Sequence, residues 1–162
     1  MRKKEIVIVM GSDSDWPVVS ETAKILKEFK VPFEAKVLSA HRTPEATAKY
    51  ARSLVSGGVK VAIAAAGGAA ALAGVIAGHT PIPVIGIPMH TQELNGMDSL
   101  LSTVQMPPGV PVATVGIGKA GAKNAAFLAM KIVALNNGAL RKKLLDYKKN
   151  QAQKIAKIKL PL

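Results

Sequence analysis

The stretch EIVIVMGSDSDWPVV, residues 5–19, decides the fold. From Glu5 to Met10 the chain is dominated by apolar, β-branched residues and reads as a buried strand. A polar loop follows, Gly11-Ser12-Asp13-Ser14-Asp15. Apolar residues then return at helical spacing from Trp16 to Phe29, at Val18, Val19, Ala23, Ile25 and Leu26. Strand, polar turn and helix make one β–α unit.

The rest of the chain repeats that unit. Phe33 to Leu38 reads as a second strand, after which Thr43 is an N-cap, Pro44 the first helical position and Glu45 a first-turn acid. Val59 to Ala66 is a fully apolar third strand, followed by Gly67-Gly68 and a small-residue helix from Ala69 to Gly78. Pro83 to Pro88 is a fourth strand. The loop Met89 to Asp98 is long enough to be functional and leads to a helix from Asp98 to Val104. Pro107-Pro108-Gly109 breaks the chain before a fifth strand, Val110 to Val115, and a long apolar helix, Ala122 to Asn136. Asn137-Gly138 turns into a terminal basic helix over 139–160. Five strands alternating with helices predict an α/β fold, a parallel sheet covered on both faces with right-handed crossovers. The short side chains of Ala69 to Ala73 and Ala120 to Ala126 suit helices that are fully buried or packed against another subunit.

Composition bounds the function. With 162 residues, 49% of them hydrophobic, the chain makes one domain with a real core. The absence of cysteine excludes disulfides, thiolate metal sites and Cys nucleophiles, and fits a reducing compartment. Met1-Arg2-Lys3-Lys4 is basic like the start of a secretory signal, but the apolar run Ile6 to Met10 is too short to continue one, so a cytoplasmic protein is expected. The net charge of +12 is concentrated late: residues 141–162 hold eight Lys or Arg against one Asp. Leu140, Leu144, Tyr147, Ile155 and Ile158 fall on one stripe of that segment, which reads as a packing helix with a solvated basic face. A nucleic-acid or membrane surface is the weaker reading, since 4% aromatics offer little for bases to stack on.

Three site motifs compete. Gly116-Ile117-Gly118-Lys119-Ala120-Gly121 matches the dinucleotide pattern, but it follows the fifth strand and no acid for a ribose hydroxyl stands in the region from Leu135 to Arg141, so it reads as a helix start. Gly11 lacks the spacing of a P-loop. His41, His79 and His90 match no metal-ligand spacing, and His79 and His90 read as ordinary loop residues.

The two polar turns are stronger candidates, because in an open parallel sheet the loops leaving neighbouring strands converge on one crevice. Ser14 or Asp15 can cap the helix near Trp16, and for Ser12 and Asp13 turn chemistry and ligand binding remain equally open. His41 beside Arg42 points more firmly to a site: an imidazole can move protons near neutral pH, and a guanidinium can clamp an anion.

Taken in order, Met10 to Trp16, Ser39-Ala40-His41-Arg42-Thr43-Pro44, Gly67-Gly68-Ala69-Ala70, Asn95 to Leu100, Val104 to Pro107, Gly118 to Gly121 and Asn124-Ala125-Ala126 cover nearly the whole chain and resemble the PurE family. That family comprises the N5-carboxyaminoimidazole ribonucleotide mutases of de novo purine synthesis. The resemblance implies a three-layer α/β/α, flavodoxin-like domain in a homo-octamer, with no metal or organic cofactor and an imidazole ribonucleotide as substrate. It implies His41 as the proton-transfer residue, Arg42 on the phosphate, and Ser12, Asp15, Ser39, Gly68, Ala69, Ala70 and Leu72 on the substrate. The Gly67-Gly68-Ala69-Ala70 backbone is expected to cradle the carboxyl group. Ala71 stands where the family usually carries a second histidine, and Ala65 where it usually has Gly. Arg42 favours the mutases over the sister carboxylases, which take carbon dioxide directly and typically read Ala-His-Lys there. A non-catalytic nucleotide-binding module is the reading from another class.

Overall fold

A computed structural model describes residues 4–160; the basic Met1-Arg2-Lys3 start lies outside them. Its five strands are β1 (Ile6–Met10), β2 (Phe33–Val37), β3 (Val61–Ala66), β4 (Val84–Pro88) and β5 (Ala113–Thr114). All pairings are parallel and the order is β2-β1-β3-β4-β5. β1, β3 and β4 are buried on both faces, which is why their sequences are continuous apolar runs without alternation.

The described residues form six α-helices: α1 (Trp16–Glu28), α2 (Pro44–Ser53), α3 (Leu72–His79), α4 (Met97–Val104) and α5 (Gly118–Ala134), which cover the sheet, and α6 (Gly138–Ala156), which packs on α5. Ile6, Ile8, Ile63 and Ile85 pack with Val19 and Leu26 of α1 and Met130 of α5 on one face. Val7, Val9, Ala62 and Ala64 pack with Ala51 of α2 and with Leu72 and Ile76 of α3 on the other. Among the described residues, no helix is long and apolar enough to cross a membrane.

Four expectations are corrected. Residues 69–71 are not helical: α3 begins at Leu72, and Gly68 and Ala70 have φ of +65° and +36°, a left-handed turn that no α-helix accommodates. The fifth strand shrinks to two residues, because Pro111 has no amide to donate and the segment lies at the sheet edge. α5 starts at Gly118, four residues before Ala122, since a Cβ at Gly121 would overlap the Gly116 carbonyl; the third glycine of the dinucleotide-like motif thus serves a tight helix start. His79 is the last residue of α3, with Nδ1 2.9 Å from the Val75 carbonyl.

The basic terminal helix packs only along its first half. Leu140 is buried, and Tyr147 stacks on Phe127 with ring centroids 4.8 Å apart, but Ile155 and Ile158 are 67% and 63% exposed, so the predicted stripe is not one buried face. Two of its cations cap other helices. The Arg141 guanidinium donates to the Ala134 and Leu135 carbonyls at the end of α5, and Lys143 Nζ donates to the Phe29 carbonyl at the end of α1.

Candidate active site

The loops after β1, β2 and β3 meet at the carboxyl end of the sheet, where the strand order reverses between β1 and β3. That reversal opens a crevice of about 430 Å³ between neighbouring loops. Seven of the nine site residues predicted above line it: Ser12, Asp15, Ser39, His41, Arg42, Ala70 and Leu72.

The first loop winds into a short 3-10 turn, Asp13–Asp15. It is capped by Ser12, whose Oγ accepts from the amide of Ser14 at 3.3 Å and from its hydroxyl at 2.9 Å. The capping role thus falls to Ser12 and not to Ser14 or Asp15; Asp15 occupies the N-cap position of α1 without a side-chain cap bond. Its carboxyl is left half-buried over the crevice, and burial pushes its pKa above the ordinary value. A hydrogen bond from the Ser12 backbone and the charge of Arg42 work against that rise, while Asp13 adds to it.

The second loop is tied to the first by Arg42. Its Nη2 donates to the Gly11 carbonyl at 2.9 Å and its Nε to Ser39 Oγ at 3.3 Å, while Ser39 Oγ also accepts from the Arg42 amide at 3.1 Å. The remaining guanidinium N–H groups are available to an anion in the crevice. Thr43 closes the turn, its Oγ1 accepting from the Ser39 amide and donating to the Ser39 carbonyl. It thereby braces the loop instead of capping α2 with its side chain. His41, between these fixed points, is exposed at the crevice rim and available to a substrate.

The third loop uses backbone instead of side chains. Gly68 and Ala69 do not line the crevice. The Gly68 amide donates to Ser99 Oγ at 3.0 Å and the Ala70 amide to the Gly67 carbonyl at 3.2 Å, so two amides of the expected carboxyl cradle are already committed. What faces the crevice is the methyl-lined start of α3 with Ala66, Gly67 and Ala71. Ala71, lacking the usual histidine, makes this wall apolar. Ser99 was visible in the sequence only as part of the Asn95–Leu100 motif; nothing in its spacing tied it to Gly68.

The topology and crevice define a flavodoxin-like α/β protein with a polar crevice at its strand switch point. The AIR carboxylase family model matches residues 5–154. An N5-carboxyaminoimidazole ribonucleotide mutase of Pyrococcus abyssi is 56% identical over 90% of this chain and 83% of its own length. One of Bacillus subtilis is 52% identical over 91% of both chains. The crystal structure of Treponema denticola PurE superposes with a TM-score of 0.84 at 30% identity, covering 93% of each chain. The chain belongs to the AIR carboxylase family.

Proposed function

We propose that this protein is an N5-carboxyaminoimidazole ribonucleotide mutase in which His41 carries the proton. The observation that supports the roles is the joining of His41, Arg42 and Asp15 in one crevice at the strand switch point. Arg42 meets the phosphate with the donors it does not spend on Gly11 and Ser39. Ser12, Asp15 and Ser39 accept from or donate to the ribose and the amino group.

In the first half-reaction the bond between the substrate's amino nitrogen and its carboxyl carbon breaks. The electron pair returns to nitrogen, which takes a proton from the His41 imidazolium, and carbon dioxide is released. Neutral carbon dioxide rests against the methyl groups of Ala66, Ala70, Ala71 and Leu72, a wall that does not hydrate it. In the second half, the electron-rich ring carbon attacks it, and the now neutral His41 removes the ring proton and restores aromaticity. The imidazole ends as it began, so no other acid or base is consumed.

We infer a homo-octamer acting in the cytoplasm. Its assembly is supported by the apolar residues Leu94, Met97, Leu101 and Val104, 46–59% exposed on and beside α4 at the β5 edge of the sheet. Light scattering on the purified protein reads that mass directly.

The activity is tested by supplying the carbamate-bearing ribonucleotide labelled at its carboxyl carbon in the presence of unlabelled bicarbonate. Label retained on the ring carbon is the expected result. Label lost to bicarbonate, with product formed from aminoimidazole ribonucleotide and dissolved carbon dioxide, places the chain with the carboxylases. Tight nucleotide binding with no product at all is the behaviour of a binding module.

A further inference from the structure

We infer that Ser99 of α4 is a positioning residue for the carboxyl-bearing half of the substrate, acting through the loop between β3 and α3. Ser99 is fully buried, and its hydroxyl is the acceptor for the Gly68 amide at 3.0 Å. From the next turn, the exposed Ser102 donates to the Gly68 carbonyl at 3.4 Å. One helix thus grips both polar groups of a single loop residue, on the side of the loop away from the crevice.

The grip matters because the loop is not in a relaxed conformation. Ala70 carries a side chain at φ +36°, a region costing an L-residue about 1–2 kcal/mol. Such a conformation persists only where its surroundings dictate it. Ala70 is 2% exposed, and it lines the crevice beside Ala71 and Leu72. Turning the Gly68 peptide groups toward α4 is what turns Ala70 and the start of α3 toward the substrate. Gly67 fits the same arrangement: a Cβ there would sit 3.4 Å from Met89 Cβ and 3.9 Å from Ser99 Oγ, so the loop lies directly against the α4 side of the fold.

This inference rests on the proposed activity, in which the third loop meets the migrating carboxyl group. It predicts a selective effect. In Ser99→Ala, affinity for the carboxylated product ribonucleotide falls about tenfold, while affinity for aminoimidazole ribonucleotide, which has no carboxyl group, changes little. KM for the carbamate substrate rises more than kcat falls, and the pH profile set by His41 stays in place. Thr103→Ala is the control. Thr103 is buried on the same helix, but its hydroxyl donates to the Ser99 carbonyl within α4, so it perturbs the helix without touching the loop.

Equal weakening of both ribonucleotides in Ser99→Ala, no weakening of either, or the same selective loss in Thr103→Ala each overturns the inference. If Ser99→Ala does not fold, Ser102→Ala at the exposed position decides with a smaller shift of the same selectivity or with none. A parent protein that binds neither ribonucleotide overturns the proposed activity as well, whereas a discriminating parent with an equally discriminating Ser99→Ala overturns this inference alone.

Discussion

The loops after β1 and β2 and the loop after β3 share one crevice but are built by opposite means. The first two are made of side chains: Arg42 reaches across to the Gly11 carbonyl, Ser39 and Thr43 close their own turn, and Asp15 is left half-buried and electrostatically costly. The third is nearly devoid of side chains, and its cost is torsional, carried at Ala70 with φ +36° beside a left-handed Gly68 that is braced from α4. One rim presents charged side chains and an imidazole. The other supplies shape, with an apolar wall suited to a molecule as weakly hydrated as carbon dioxide.

That division is broken most directly at His41. If the side-chain rim carries the chemistry and the backbone rim only shapes the cavity, His41→Asn lowers turnover by about 10²- to 10⁴-fold while nucleotide affinity holds. Steady-state kinetics beside calorimetric binding measure the two. Turnover within a few-fold of the parent ends the assignment of His41 and returns the site to a binding module.

Arg42 comes next, since in the proposed function it serves the ligand as well as the observed join between loops. Arg42→Ala is expected to weaken nucleotide binding by about tenfold to a hundredfold, the range for a lost charge-assisted hydrogen bond. Arg42→Lys recovers only part of this, because an ammonium cannot bridge to Gly11 and Ser39 while also clamping a phosphate. Full recovery by lysine would show that charge alone matters and that the inter-loop bonds are incidental.

The contrast between the rims also explains how much the sequence disclosed. His41, Arg42, Ser12 and Asp15 could be read as a site because chemistry held in side chains is written as residue types in short turns. A parallel sheet covered on both faces is equally legible, since β1, β3 and β4 are continuous apolar runs. In the third loop the high helix propensity of Ala favours a helix from Ala69, and that preference is overridden by Gly68 at φ +65° and by the pull of Ser99 on its amide. A bond from a backbone amide to a hydroxyl 31 residues away leaves no local pattern. The end of α6 failed for a similar reason: Ile155 and Ile158 keep the helical spacing, but no part of the domain extends far enough to cover them.

Gly68→Ala tests the torsional side. A Cβ at Gly68 meets nothing within 4 Å, so the substitution introduces backbone strain without a clash. The expected loss is about 1 kcal/mol in denaturant unfolding. Because the residue lies on the shaping rim, KM should rise with kcat nearly held. A fall in kcat with unchanged KM would mean that this loop takes part in the proton chemistry after all.

The smallest effect is expected at Asp15, where the electrostatic cost of the first rim can be measured without substrate. Burial raises the carboxyl pKa in the folded state above the 3.8 of a free aspartate, against the opposing pull of the Ser12 amide and Arg42. Between those two values the folded protein binds more protons than the unfolded chain, so stability falls as pH rises through the folded pKa and is fully present only below the unfolded one. Asp15→Asn removes the ionisation. The variant should therefore unfold at higher urea than the parent at pH 7, with the gap closing as pH drops below the free-aspartate value. A variant less stable than the parent at neutral pH would mean that Arg42 outweighs burial and that the carboxylate is held, not strained. With the expected sign, the two rims become alike in one respect. Each keeps a group in a state that is costly in isolation, Asp15 through burial in the first rim and Ala70 through its torsion in the other, where the α4 grip sustains it.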